Sequence, residues 1–591
     1  MNILLTAINA KYIHSNLAVY SLRACAGEYR DAVELAEYTI NNQKDYILEE
    51  LYKRKPDVLC FSCYIWNIDY VTDIAREYKK LCPSVPIWVG GPEVSYEVEA
   101  FLRENPYIDG VMIGEGEDTF RELCGYYAHK RKLSDIAGIA FRKNSTSNST
   151  SVNNIGGNKA GEIVFTSPRP IKNMSEIPFC YDTLDDFSNR IIYYESSRGC
   201  PFSCSYCLSS VDKTLRFRDT EIVKRELKFF IDQKVPQIKF VDRTFNCNHA
   251  HAMELWRFIK ANDNGVTNFH FEISADLLNQ EELELISDMR PGLIQLEIGV
   301  QSTNEVTIKE IHRTMKLERL KEVVRLIQRG NNIHEHLDLI AGLPYEDYDS
   351  FGRSFDEIYE LKPNQLQLGF LKVLKGSYMF EHAAEYGIVY HDKPPYEVMS
   401  TKWLSFDDVI KIKRVEEMLE VYYNSGQFEI TMKLMECIFD SAFEFFQELG
   451  DFYEANGYFG MSHSRIRRCE ILLEFLALYL HGCDSDNTDF DENAQLYSMI
   501  QESLIFDLYY RENCKSRPVW ATDIGSFKHM THAYCKNGKL SHVEPFHYIF
   551  PDKHTRKLDE LPKYHKEPVW ALFHYDMRDP LDHQAMVEYI E

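Results

Sequence analysis

Glu195-Ser-Ser-Arg-Gly-Cys200-Pro-Phe-Ser-Cys204-Ser-Tyr-Cys207 sets three cysteines at a spacing of three and then two intervening residues. So compact a loop brings three thiolates onto one small inorganic centre, and thiolate is the ligand type that suits zinc or an iron–sulfur cluster. Three ligands leave one site open. A structural zinc would be closed by a fourth protein ligand, whereas a four-iron cluster with one iron lacking a protein ligand can bind a further molecule there.

The strand-and-helix pattern around this loop sets the fold class. From residue 186 to about 375, six apolar strands are predicted at Ile191–Glu195, Gln237–Val241, Phe269–Ile273, Leu293–Ile298, His336–Ile340 and Gln365–Phe370. Helical patterns such as Thr220–Gln233 and Leu317–Arg329 fall between them. Six such units fit a partial (β/α)6 barrel of the TIM type, whose reactive end lies at the carboxyl termini of the strands. The cysteine loop follows the first strand.

Residues 1–142 alternate five short apolar strands with helices, the pattern of an open, doubly wound parallel sheet. Such sheets bind ligands at the carboxyl ends of their strands. Three loops lie there: Asn9–Asn16, Ser62–Asn67 and Gly90-Gly91-Pro92-Glu93. Residues 143–185 read as a linker: an Asn, Ser, Thr and Gly stretch to about Gly161, flanked by a possible hairpin of Gly138–Phe141 with Glu162–Phe165, and then a proline-punctuated connector.

Beyond Gly376 the alternation stops. Residues 376–591 read as a mainly α-helical domain, with helical periodicity over 405–424, 428–449, 462–481 and 493–513. Short strand-like runs such as Pro568–Phe573 follow. Its Phe and Tyr stripes are expected in the core, with a substrate lid as the alternative. Cys469, Cys483, Cys514 and Cys535 are too loosely spaced for a second cluster, and His334-Glu-His336 has the spacing of a structural strand pair.

The formal net charge is −25 and the pI is near 5.3. That balance disfavours non-specific binding to nucleic acid or anionic membrane. Lys411–Arg414 and Arg465–Arg468 are read as solvated helix faces. Fifteen scattered cysteines, no bilayer-length apolar run and a first segment that reads as a strand point to a cytoplasmic, reducing compartment.

The Cys-x3-Cys-x2-Cys pattern, with Tyr206 before the last cysteine, resembles the signature of the radical S-adenosylmethionine (SAM) enzymes. The resemblance implies a [4Fe-4S] cluster on Cys200, Cys204 and Cys207, with SAM chelated to the open iron and cleaved on reduction. Within that family the strand-end residues are similar to the branch of the oxygen-independent coproporphyrinogen oxidase. There Arg313 and Gln301 would hold the methionine carboxylate, Glu272 the ribose or methionyl end, and the main chain at Gly342 would pass the adenine. Asp242 is a further candidate for the SAM edge or substrate.

The N-terminal loops resemble the cobalamin-binding domain, with Ser62-Cys63-Tyr64 and Gly90-Gly91 in two of its three motif positions. The first departs: Tyr12-Ile-His14-Ser-Asn-Leu17 stands where the family's common form has Asp-x-His-x-x-Gly. His14 is a candidate cobalt ligand, and a lower face left without protein histidine and covered near Tyr64 is the preferred expectation. Ile113–Leu123 also looks like the cobalamin-binding radical SAM group. The implied protein is an anaerobic enzyme that methylates, or oxidatively closes a ring in, a small-molecule or peptide substrate. It would draw electrons from a donor such as flavodoxin or ferredoxin. The rivals are a two-cluster tRNA methylthiotransferase using Cys25, Cys60 and Cys82, and a non-catalytic corrinoid or redox sensor.

Overall fold

The computed structural model describes residues 1–143, 161–482, 490–525, 528–535, 540–551, 555, 558 and 560–590. Most of the polar stretch of the linker, and Cys483, lie outside the described residues. The chain forms two compact units: Met1–Leu277 with Ile311–Thr314 and Leu371–Met399, and Leu278–Glu310 with Met315–Phe370 and Ser400–Glu591.

The first unit begins with strands β1 (Ile3–Asn9), β2 (Val33–Thr39), β3 (Val58–Ser62), β4 (Ile87–Gly90), β5 (Gly110–Met112), β6 (Ile139–Arg142) and β7 (Ile163–Phe165). They form one sheet in the order β2-β1-β3-β4-β5-β6-β7, parallel through β5. β6 and β7 pair antiparallel at its edge, as the hairpin expectation required. Every residue of β1 and β3 is buried, because both sheet faces are covered and no alternation is needed. Helices α1 (Leu17–Cys25), α2 (Lys44–Arg54), α3 (Ile68–Leu81), α4 (Val98–Glu104) and α5 (Glu117–Tyr127) alternate with the strands. α3 shows the rule: Ile68, Val71, Ile74, Ala75 and Tyr78 fall three or four apart and are buried. The order reverses between β1 and β3, so the loops that follow these strands flank the crevice where such sheets take ligands.

The same unit continues with β8 (Ile192–Tyr194), the short antiparallel pair β9 (Ser197–Arg198) and β10 (Arg216–Phe217), α6 (Thr220–Asp232), β11 (Gln237–Phe240), α7 (His249–Ala261) and β12 (Asn268–Ile273). β8, β11 and β12 are parallel neighbours. The segment 371–399 adds α12 (Tyr378–His382).

In the second unit β13 (Ile294–Gln301), β14 (His334–Ala341) and β15 (Gln365–Phe370) are again parallel neighbours. With them come α8 (Gln280–Ser287), α9 (Glu305–Glu310), α10 (Leu317–Gly330) and α11 (Tyr348–Tyr359). All six predicted core strands are therefore present, each within a few residues of its expected bounds.

The rest of this unit holds α13 (Phe406–Leu419), α14 (Glu429–Ile438), α15 (Ala442–Ala455), α16 (Arg465–Gly482) and α17 (Phe490–Arg511). Three findings correct the sequence reading. The single helix expected over 428–449 is two helices, because Phe439 is extended and Ser441 caps a new start by accepting from the Glu444 amide at 3.0 Å. Asp356 completes that cap, accepting from the Phe443 amide at 2.8 Å and the Ser441 hydroxyl at 2.7 Å. The tail is not only strand-like: Ser541–Tyr548, Tyr564–Arg578 and Ala585–Ile590 form a three-stranded antiparallel sheet. Arg465 is no solvated face, since its guanidinium turns inward to the carbonyls of Gln427 and Asp507. The aromatic stripes are core: Phe439 packs on Phe445 and Tyr479, and Phe475 on Phe445 and Phe452.

No described helix is long and apolar enough to cross a membrane. α14 has no capping side chain of its own; Asp507 of α17, 2% exposed, accepts from the Ile430 and Thr431 amides, both at 2.9 Å, and from the Thr431 hydroxyl at 2.7 Å. Asp507→Ala leaves those amides buried without an acceptor. It is expected to cost about 2–4 kcal/mol, measured by urea unfolding, whereas a surface control such as Asp407→Ala should change stability by less than about 0.5 kcal/mol.

Candidate functional site

The cysteine loop is anchored from below by Asp242, which follows β11 and is fully buried. Its carboxylate accepts from the Ser196 amide at 2.9 Å and from the hydroxyls of Ser196 and Ser197, both at 2.6 Å. His251 Nε2 lies 3.0 Å from the same Ser196 oxygen. Burial pushes the Asp242 carboxyl up to about 6 against the pull of its serine donors, and pushes His251 down to about 4. Both Asp242 oxygens are thus committed to loop backbone and hydroxyls, so Asp242 supports the loop where the sequence suggested SAM or substrate.

Gly199 then brings the chain to Cys200 with φ +91°, and a Cβ there would stand 2.5 Å from the Thr214 carbonyl oxygen. Only glycine lets the loop's root pass so close. On its far side the loop is tied to residues 311–313: the Ser205 amide donates to the Ile311 carbonyl at 2.9 Å and the Ser205 hydroxyl meets His312 Nδ1 at 2.7 Å. Arg313 is thereby delivered to the thiols, with Nη1 3.8 Å from Cys204 Sγ and 3.3 Å from the Tyr206 hydroxyl. Cys200 and Cys204 are buried and Cys207 partly exposed. Among the described residues no group of three His, Cys, Asp or Glu side chains is arranged to hold a single metal ion. In a cubane cluster each thiolate binds its own iron, so three thiols on one loop need not converge on a single point. The donor set, three thiols on one loop with the Arg313 guanidinium beside them, fits a cluster that takes an anionic group at its open iron.

The predicted SAM contacts divide. Glu272 is half-buried near the carboxyl end of β12, in the same unit as the cysteines and Arg313. Gln301 and Gly342 are in the second unit, Gln301 closing β13 and Gly342 directly after β14. Gln301 has φ +76° and its Oε1 is buried with no hydrogen-bond partner.

The three N-terminal loops occupy the sheet's carboxyl edge. Ser62 is buried and accepts from Asn16 Nδ2 at 3.3 Å. Tyr64 stacks on Trp66 with ring centroids 4.5 Å apart, and burial pushes its hydroxyl up to about 12. Gly91 has φ +122°, and a Cβ there would meet the Cys63 carbonyl oxygen at 2.4 Å, so the Gly90-Gly91 turn lies flat against the β3 end. This side-chain-free cradle beside an aromatic pair suits a large flat ligand. His14 is held elsewhere: its Nδ1 is 2.7 Å from the Tyr193 hydroxyl on β8, which leaves Nε2 as the nitrogen that could reach a cobalt.

Sequence reasoning missed the ionic joint between these loops. Arg198, two residues before Cys200, meets Glu117 at 2.8 Å, Glu195 at 2.7 Å and Glu115 at 3.3 Å. Arg216 meets the same Glu115 at 2.5 Å. The signal was present as the acidic run before α5, which reads equally as an ordinary helix start. Segment 371–399 was missed too: Met379 donates to the Ser205 carbonyl at 2.9 Å, and the Tyr396 hydroxyl donates to Glu93. Cys60 lies fully buried inside β3 and Cys25 ends α1, so each is part of a regular element and neither sits on a loop like that of Cys200, Cys204 and Cys207.

Residues 3–124 match the B12 binding domain, residues 194–358 the radical SAM superfamily and residues 384–586 a protein family of unknown function, DUF4080. The cobalamin-dependent radical SAM methyltransferase TokK of Streptomyces tokunonensis is 28% identical over 361 residues, 57% of this chain and 49% of that protein. The chain thus spans about half of TokK's length. The anaerobic magnesium-protoporphyrin IX monomethyl ester cyclase of Rubrivivax gelatinosus is 22% identical over 355 residues, 57% of this chain and 60% of that protein. The structure of the cobalamin-dependent S-adenosylmethionine radical enzyme OxsB, with aqua-cobalamin and S-adenosylmethionine bound, shares the fold. It has a TM-score of 0.57 at 15% identity, covering 86% of this chain and 80% of that one.

Two substitutions test the site's construction. Asp242→Ala is expected to cost about 2–4 kcal/mol by thermal or urea unfolding, and to lower iron bound on anaerobic reconstitution below half that of the parent chain. Gly91→Ala is expected to abolish corrinoid retention, read from the visible spectrum, while leaving bound iron unchanged. In order, the chain carries a B12 binding domain, a radical SAM domain and a DUF4080 domain, and it is similar to cobalamin-dependent radical SAM enzymes.

Proposed function

We propose that the chain is a cobalamin-dependent radical SAM enzyme that transfers a methyl group to an unactivated carbon of a small-molecule or peptide substrate. The observation that carries this reading is the Arg313 guanidinium held 3.8 Å from Cys204 Sγ, in a unit that also contains the B12 binding domain. When bound, the cluster, SAM and cobalamin supply the electron, the 5'-deoxyadenosyl radical and the methyl group.

The chain's own residues bind and orient. Cys200, Cys204 and Cys207 ligate the iron. Arg313 would receive the SAM carboxylate as a planar two-donor fork. Gln301 is assigned to the methionine end of SAM by its place at the end of β13. Glu272 would accept from the ribose hydroxyls or the SAM amine, Tyr206 would stand beside the cluster, and the main chain at Gly342 would pass the adenine. Ser62, Gly90 and Gly91 hold the corrinoid against the sheet edge. Tyr64 would pack on the corrinoid, and His14, engaged at Nδ1 by Tyr193, is the alternative cobalt ligand through Nε2. The electron would come from a small electron-transfer protein such as flavodoxin or ferredoxin. The similarity to the cyclase supports a second reading, oxidative ring formation, which product mass separates from methylation.

The test is anaerobic purification and reconstitution followed by incubation with SAM and a strong reductant. About four irons per chain, a co-purifying corrinoid spectrum, and 5'-deoxyadenosine above a Cys204→Ala control are expected. About eight irons would favour the two-cluster methylthiotransferase, and intact iron and corrinoid without 5'-deoxyadenosine would favour the sensor.

A further inference from the structure

Gln301 ends β13 in a conformation that a side-chain-bearing residue rarely adopts. Its φ is +76°, and the pairing of β13 with β14 slips between Gly299 and Gln301. A non-glycine residue stays in the left-handed region only when its surroundings hold it there. What holds it is on the next residue. Ser302 is fully buried, and its hydroxyl donates to Glu346 Oε1 at 2.7 Å while accepting from the Asn304 amide at 3.0 Å. Glu346, 1% exposed, also accepts at Oε1 from the Ser354 hydroxyl of α11 at 3.0 Å. Ser354 in turn accepts from the Thr303 amide at 3.2 Å. The corner Gln301-Ser302-Thr303 is therefore pinned through one buried carboxyl group to the helix behind it.

That carboxyl sits in a costly place, since a buried acid is retained only where hydrogen bonds offset its desolvation. Its second oxygen, Oε2, is buried with no hydrogen-bond partner. The group that gains from the arrangement is Gln301, whose Oε1 is also buried with no partner.

We infer that Glu346 is a positioning residue for SAM binding: through Ser302 it fixes the strained backbone of Gln301 so that the Gln301 amide is preset for the methionine end of SAM. The inference rests on the assignment of Gln301 to SAM made above. Glu346 itself touches neither SAM nor the cluster in this scheme. Its removal should therefore weaken SAM capture more than it slows the bound reaction.

The experiment measures 5'-deoxyadenosine formation by the reconstituted holoenzyme under dithionite, at varied SAM. Gln301→Ala and Glu346→Ala are each expected to raise the KM for SAM about tenfold with kcat within about twofold. Glu346→Gln keeps an acceptor for Ser302 and should return KM to within about threefold of the parent. Ser302→Ala, a milder change if Glu346→Ala folds poorly, should raise KM in the same direction. In the double variant, Gln301→Ala with Glu346→Ala should be no worse than Gln301→Ala alone. Glu346→Ala with a lowered Tm but parental KM overturns the inference, as does a multiplicative double variant. Gln301→Ala with parental KM overturns the assignment of Gln301 to SAM, and the inference falls with it; that outcome is told apart by Gln301 alone being silent.

Discussion

Asp242 takes three hydrogen bonds from two consecutive serines in a space closed to water, and the rest of the catalytic unit hangs from that contact. Each donor would lose a partner if the carboxyl group were absent, so the chain between β8 and β9 is held at Ser196 and Ser197. From there it passes Gly199 against the Thr214 carbonyl and emerges as the cysteine loop. A loop of this kind could be slack. Here it is held at its root by Asp242 and at its far side by Ser205 against Ile311 and His312.

The same loop is where the N-terminal domain is fastened. Arg198 gathers Glu115, Glu117 and Glu195 around one guanidinium, and Arg216 shares Glu115. Glu117 is nearly buried, so this is a partly desolvated network in which loss of one partner leaves a charge uncompensated. A second fastening runs through segment 371–399, which reaches Ser205 of the cysteine loop at Met379 and Glu93 of the Gly-Gly turn at Tyr396. Both fastenings join residues beside the thiols to residues beside the proposed corrinoid cradle. A methyl carrier and a radical source must face one substrate carbon, and fixed geometry between their loops is what such chemistry needs.

Much of the frame was legible because its signals are local. The mostly apolar, non-alternating runs of β1 and β3 announce strands covered on both faces, and the cysteine spacing announces itself. The helix break at Phe439 was not legible, since the Asp356 that caps α15 comes from α11, far back in the chain. Arg465 was misjudged for a related reason: a charged side chain is read as solvated unless distant carbonyls are known to receive it. Asp242 was visible as a strand-end acid, but its role depends on Ser196 and Ser197 folding back over it. Glu346 stands four residues beyond Gly342, and its hold on Ser302 exists only once β13 and α11 are packed. Periodicity reports what a residue buries. It does not report which distant group a buried polar atom satisfies.

The central claim is that SAM binds the iron left open by Cys200, Cys204 and Cys207, with its carboxylate toward Arg313. Electron–nuclear double resonance on the reduced, reconstituted protein, with SAM labelled by nitrogen-15 in the amino group and oxygen-17 in the carboxylate, reads that contact directly. Hyperfine coupling of both labels to the cluster is predicted, with the oxygen coupling altered in Arg313→Lys. A cluster signal that is unchanged by labelled SAM, in protein shown to bind it, would contradict the claim.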